Sequence, residues 1–149
     1  MSVIWTDHGV CYTLGIMNQR KGSILIPANT SPWDHELKAA HVLAQYGHIV
    51  EFIPESTRHK DKTADILING TPCEIKSPVA SKLSAVERNL KRACRQSTNI
   101  VFDSRRMKYL PDSSIQRELV KQFRLTRNIE HLLFINRKQE LIDISTLIW

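Results

Sequence analysis

Asp65, Glu74 and Lys76 are the residues of this chain whose types and spacing suit one chemical task. Between them lies Asn69-Gly70, the dipeptide best matched to a type I′ hairpin turn, because both central residues of that turn need φ > 0. With a two-residue loop there, Ile68 faces Thr71, Leu67 faces Pro72, Ile66 faces Cys73 and Asp65 faces Glu74. Strand alternation then places Asp65, Glu74 and Lys76 on one face, and Ile66, Ile68, Cys73 and Ile75 on the other. Directly opposed carboxylates repel one another. A divalent cation held by oxygen ligands, with an ammonium beside it, turns that repulsion into a use. In such a site Asp65, Glu74 and the backbone carbonyl of Ile75 would ligate Mg²⁺ or Mn²⁺, the ion would bind a phosphate oxygen, and the pKa of an attacking water would fall. Lys76 would orient that water or stabilise charge on the pentacovalent phosphorus. The competing reading of the same residues is a solvated edge hairpin with a Lys76 salt bridge worth under ~1 kcal/mol. The apolar neighbours Ile66, Ile68, Cys73 and Ile75 favour a central hairpin over an edge.

These side chains need elements to hold them. A first helix is expected from about Pro32 to Tyr46, with Ser31 as N-cap, Pro32 at the first helical position, Asp34 at the positive end and Gly47 closing the C-terminus. Trp33, Leu37, Ala40 and Ala44 mark its apolar stripe, with Ala39, Val42, Leu43 and Tyr46 widening it. Glu36 stands at the stripe's margin, where it either leans out to solvent or points along the sheet toward Asp65 and Glu74. His48–Ile53 reads as a strand ended by Pro54, and Glu55–Thr63 as a polar loop. A second helix runs from Leu83 to about Gln96, with Lys82, Arg88, Lys91, Arg92 and Arg95 on its polar faces. Asn99–Asp103 is a short buried strand, and Asp112 to about Arg127 a third helix. His131–Ile135 and Glu140–Ile144 form a hairpin over Asn136–Gln139. Residues 1–32 hold three strand-like runs, Val3–Thr6, Val10–Ile16 and Ser23–Pro27, consistent with a small β-meander packed on the main domain.

The α-β-β-β-α-β order from Pro32 to Asp103, with D-x8-E-x-K at Asp65, Glu74 and Lys76, resembles the PD-(D/E)xK nuclease superfamily. Thr63-Ala64-Asp65 stands where that motif has Pro-Asp. The wording H-E-x-x-A-A-x-x-L, then G-x-x-V, then A-D-I-L-I-N-G-x-x-x-E-I-K-S-P, is also similar to the C-terminal toxin domains of bacterial contact-dependent inhibition (CdiA-type) systems, several of which are tRNA nucleases. The similarity runs from about Asp34 to Asp103. It implies an α/β fold with a PD-(D/E)xK-like αβββαβ core, in which a mixed central sheet is flanked by helices. Residues 1–31 would add a β extension, residues 32–103 the nuclease core, and residues 104–149 a helix and a β-hairpin, all within one domain. It also implies Glu36 as a further catalytic acid beside Asp65, Glu74 and Lys76, and Gln96 as a substrate contact from the second helix. Ser77, Arg92, Arg105 and Arg106 join it as candidate phosphate-binding residues. An acidic immunity protein covering the basic cleft follows from the toxin resemblance.

The rest of the composition sets bounds. At 149 residues the chain is long enough for one domain with a real core. Its net charge of +6 favours polyanionic partners, nucleic acid first. No apolar run approaches the ~20 residues of a membrane span, and the N-terminus lacks a signal-peptide layout. Three widely spaced cysteines, Cys11, Cys73 and Cys94, read as buried free thiols and point to a reducing, cytoplasmic place of action. The expected function is a metal-dependent endonuclease, a tRNA-cleaving toxin by resemblance and a nucleic-acid phosphodiesterase by residues. A DNA endonuclease of the same fold is the near alternative. A metal-independent barnase- or colicin-like ribonuclease using His35 or His59 is another, and an inactive nucleic-acid-binding module a third.

Overall fold

The computed structural model describes residues 2–6, 9–14, 22–54 and 64–147. The expected polar loop Glu55–Thr63 and the candidate base His59 lie outside them. The fold is mixed α/β, and the chain divides into two compact units, Met1–Pro72 and Cys73–Trp149.

In the first unit, β1 (Ser2–Thr6), β2 (Gly9–Leu14) and β3 (Gly22–Pro27) are antiparallel neighbours in chain order. After α1 (Asp34–Gln45), β4 (Ile49–Phe52) returns parallel to β3 and pairs antiparallel with β5 (Ile66–Ile68). The three N-terminal strands are therefore not a separate meander. They are hydrogen-bonded through β3 into the strands that follow the helix, because a helical crossover is what lets two strands run parallel. Helix α1 starts two residues later than expected. Trp33 is its extended cap residue, and the Trp33 N–H donates to Glu36 Oε2 at 3.0 Å. Glu36 thus satisfies an N-terminal donor from the third helical position, the acidic half of a capping box, and Ser31 and Pro32 precede the helix. At the other end Gly47 adopts φ 90°, with Gly47 N–H donating to Ala44 O and His48 N–H to Leu43 O. That pair of bonds is a Schellman closure, as the glycine there foretold.

The Asn69-Gly70 turn has φ 50° and 86°, the signs a type I′ turn requires. It is tied to the start of β4: Asn69 N–H donates to Ile49 O at 2.7 Å, and Ile49 N–H to Asn69 Oδ1 at 2.8 Å. With that oxygen engaged as acceptor, the Asn69 amide nitrogen is the atom 3.0 Å from His48 Nδ1, so the imidazole accepts there and is neutral at Nδ1.

In the second unit, β6 (Thr71–Lys76, entering from the unit boundary), β7 (Asn99–Asp103) and β8 (His131–Ile135) run parallel, and β9 (Leu141–Asp143) closes antiparallel on β8. Helices α2 (Ser84–Ala93) and α3 (Asp112–Leu125) are the two crossovers. Both cover the same sheet face, as successive right-handed crossovers in one direction require. Val86 and Leu90 of α2 and Ile115 and Leu119 of α3 meet Ile100, Phe102, Leu132 and Phe134, all essentially inaccessible.

Two glycines in the first unit separate packing from backbone conformation. A Cβ on Gly22 would lie 1.9 Å from the Ala44 carbonyl oxygen, whereas one on Gly70 would meet nothing within 4 Å. Gly22→Ala is expected to cost about 2–3 kcal/mol through steric displacement of α1, and Gly70→Ala about 1 kcal/mol through its positive φ alone. Urea unfolding of both variants measures this, and Gly70→Asn should recover much of the second loss. Burial lowers the pKa of His48 below its ordinary 6.5. The unfolded chain therefore takes up the proton first as pH falls, so the histidine's stabilising contribution is complete above pH 6.5 and is lost on acidification below it. His41 is shifted the same way by burial and adds to that slope. His48→Gln should flatten the unfolding midpoint between pH 7 and pH 5, roughly the range in which an unperturbed histidine titrates.

Candidate active site

Alternation along β6 sends Glu74 and Lys76 to one side. Their parallel partners are Ile100 and Phe102, so the two charged side chains emerge on the face covered by α2 and α3. Glu74 is only 2% exposed. Such a carboxylate survives burial only with donors around it. Lys76 Nζ lies 2.8 Å from Glu74 Oε1. The second donor comes from the end of α2, where a tight turn carries the chain to Gln96 and the Gln96 N–H bonds Ala93 O at 2.8 Å. A carboxylate offers only acceptors, so the Gln96 amide presents its NH₂, which reaches both Glu74 oxygens at 2.6 and 2.7 Å. Glu74, Lys76 and Gln96 are thereby brought together by a strand and by the helix that follows it.

The strand's continuation is also anchored. Ser77 is buried, and its carbonyl and hydroxyl accept from Arg106 Nε at 3.0 and 3.2 Å, with Arg106 Nη2 also on the carbonyl. Arg105 wraps onto Asp103, a carboxylate 2% exposed, with Nη2 2.7 Å from Oδ2 and Nε 3.0 Å from Oδ1. The loop between β7 and α3 is braced from a third side. Arg137 Nη2 donates to Met107 O at 2.8 Å and Leu110 O at 2.7 Å, and the Arg137 N–H donates to Asp112 Oδ2 at 3.2 Å. Asp103, Asp112 and Arg137 were not marked by sequence reasoning. Arg137 meets Met107 from 30 positions away, and no local pattern joins them. Arg92 is exposed on α2.

Glu36 and Asp65 belong to the first unit, and both are buried. Asp65 precedes β5 rather than lying on it. Its carbonyl accepts the Ile53 N–H at 3.1 Å. Glu36 is buried and does not lean out to solvent; its carboxylate turns back to accept the Trp33 N–H at the helix start. Cys73 is buried, and Cys94 is half-buried, with burial raising its thiol pKa. Among the described residues no helix is long and apolar enough to cross a membrane.

As for a divalent ion, no group of three or more His, Cys, Asp or Glu side chains gathers among the described residues. Magnesium does not demand one, because one or two carboxylates suffice when water and substrate phosphate complete the octahedron. Glu74, a hard oxygen donor held in place by Lys76 and Gln96, fits that minimal requirement. With a lysine ammonium beside it, the arrangement can attract a phosphate and polarise groups bound to it.

Comparison with known proteins bears on this site. No curated protein sequence matches the chain. Among solved structures, the chain is similar to a CdiA-CT/CdiI toxin and immunity complex from Burkholderia pseudomallei, at a TM-score of 0.56 over 79% of this chain and 96% of the other. The sequence identity is 16%, so the likeness is one of fold. Residues 62–141, just over half of the chain and including Asp65, Glu74, Lys76 and Gln96, match the model of the contact-dependent growth inhibition CdiA C-terminal domain. The chain belongs to the CdiA C-terminal domain family of contact-dependent growth inhibition.

Proposed function

We propose that this chain is a toxin that hydrolyses nucleic-acid phosphodiester bonds, with Glu74 and Lys76 in its active site and tRNA as its preferred substrate. The observation that carries the reading is the buried Glu74 carboxylate held between Lys76 Nζ at 2.8 Å and the Gln96 amide. A buried acid and an ammonium at alternate positions of one strand are costly to keep unless they act on a ligand. Family membership supports a toxic activity, and the D-x8-E-x-K spacing supports Asp65 as a partner acid. A bound Mg²⁺ or Mn²⁺ would supply Lewis acidity at a phosphate oxygen and at a water. Glu74 and the Ile75 carbonyl would hold it, Lys76 would stabilise charge developing on the phosphate oxygens, and Gln96 would fix the Glu74 rotamer. Arg106 supports this reading from behind by fastening, through Ser77, the strand end that carries Lys76, while Arg105 fastens Asp103 at the end of β7. The site of action is the cytoplasm of a target cell, and the partner that restrains the activity is an acidic immunity protein.

Purified protein should cut total tRNA in Mg²⁺ and not in EDTA. Glu74→Gln and Lys76→Ala should each lower the rate by about 100-fold or more, and Asp65→Asn should follow them. Cutting of plasmid DNA in place of tRNA would reassign the substrate. Cutting that persists in EDTA and in both variants would overturn the mechanism in favour of a histidine-based ribonuclease. Arg105→Ala should behave differently, because it strands the Asp103 carboxylate: a loss of about 2 kcal/mol in urea unfolding is expected, with cleavage by the folded fraction retained.

A further inference from the structure

Among the described residues, some cations are already engaged by partners within the chain and others are not. Arg105, Arg106 and Arg137 are engaged by Asp103, by Ser77 and by the loop carbonyls. On α2, Lys91 is engaged as well, with Nζ 2.6 Å from Glu87 Oε1. Arg88 and Arg92 are exposed, and neither has an ion-pair or hydrogen-bond partner among the described residues.

Their placement is specific. Arg88, Arg92 and Gln96 follow one another at intervals of four, so they form a single ridge along α2 and the turn that extends it. The interval along the axis is roughly 6 Å, of the order of the separation between consecutive phosphates in a single strand. The ridge ends on Gln96, whose amide touches Glu74. The row beside it is unsuited to a second strand, because Lys91 is already neutralised and Glu87 brings a carboxylate there. Arg92, in the last turn of α2, also complements the helix dipole, but that use leaves Arg88 in the middle of the helix without a role.

We propose that Arg88 and Arg92 form a two-phosphate track that guides the backbone of single-stranded nucleic acid along α2 to Glu74 and Lys76. The inference rests on the nuclease reading for its destination, and its test does not depend on cleavage. Its chemistry is electrostatic and independent of base identity. The track distinguishes these two exposed arginines from the equally basic but inward-committed Arg105 and Arg106.

The test is fluorescence anisotropy of a labelled oligouridylate with the Glu74→Gln protein across a KCl series, compared with the same protein carrying Arg88→Gln and Arg92→Gln. Loss of two phosphate contacts should reduce the magnitude of the slope of log K against log salt by about 1.4, at about 0.7 for each phosphate of a single strand. The Arg88→Lys, Arg92→Lys protein should keep the slope. Arg124→Gln, an exposed change on α3, should leave it unaltered and serves as the charge control. An unchanged slope in the glutamine variant, or an equal loss in the Arg124 control, overturns the track. So does the result that a labelled poly-glutamate loses binding while the oligonucleotide does not, which would assign the ridge to an acidic protein partner. An intact slope effect in a protein that never cuts tRNA or DNA would uphold the track and remove the nuclease reading. Cleavage that depends on Glu74 and Lys76 with no slope effect would do the reverse.

Discussion

The second unit depends on keeping one carboxylate buried. Glu74 sits 2% exposed on β6, among residues that otherwise make an apolar interior. An isolated charge there would be untenable, so the surrounding structure has to deliver donors to it. Lys76 does so from the same strand, two residues on, which strand geometry guarantees. Gln96 does so only because α2 has the length and direction to end beside that point, and because the β6–β7 register aligns Glu74 with Ile100. Helix length, strand register and the charge state of one side chain are thus a single linked constraint.

The same logic orders the loop beyond β7. A connection of this length, from Ser104 to Pro111, would ordinarily be a mobile surface segment. Here three arginines convert it into a fixed support. Arg105 folds onto a buried aspartate, Arg106 onto the backbone and hydroxyl of Ser77, and Arg137 onto two loop carbonyls. The guanidinium suits this work because its fork of donors can satisfy several acceptors at once. Part of the chain's net charge of +6 is therefore structural rather than available to a partner. Exposed cations such as Arg88 and Arg92 on α2 and Arg124 on α3 are ones that a polyanion or an acidic protein would meet.

Most elements were legible where a local rule has a strong physical cause. The Asn69-Gly70 turn followed from φ preferences, the close of α1 at Gly47 from the same preference, and Asn99–Asp103 was read with its observed bounds around the apolar centre Ile100, Val101 and Phe102. The start of α1 was misplaced because Ser31 and Pro32 look like a cap and a first turn, whereas Glu36 reaching back to Trp33 set the true one. The N-terminal strands were found, but their attachment to β4 was not, since nothing in residues 2–27 specifies a partner that follows a helix. The pairing of Lys76 with Glu74 was within reach of strand alternation. The Gln96 amide on that carboxylate was not, and neither was the engagement of Arg105 and Arg106.

Sequence alone determined which residues are the candidates for chemistry: their types, their spacing of nine and two positions, and the turn that separates Asp65 from Glu74 are written in order along the chain. It also determined the α-β-β-β-α-β succession, because helix and strand periodicities and turn residues act over a few positions. Tertiary structure alone decided which of those residues are buried, which donors surround Glu74, and which arginines remain exposed. The physical reason is range. Backbone preferences are local, whereas burial and hydrogen-bond compensation join residues twenty or thirty positions apart, as Gln96 joins Glu74 and Arg137 joins Met107.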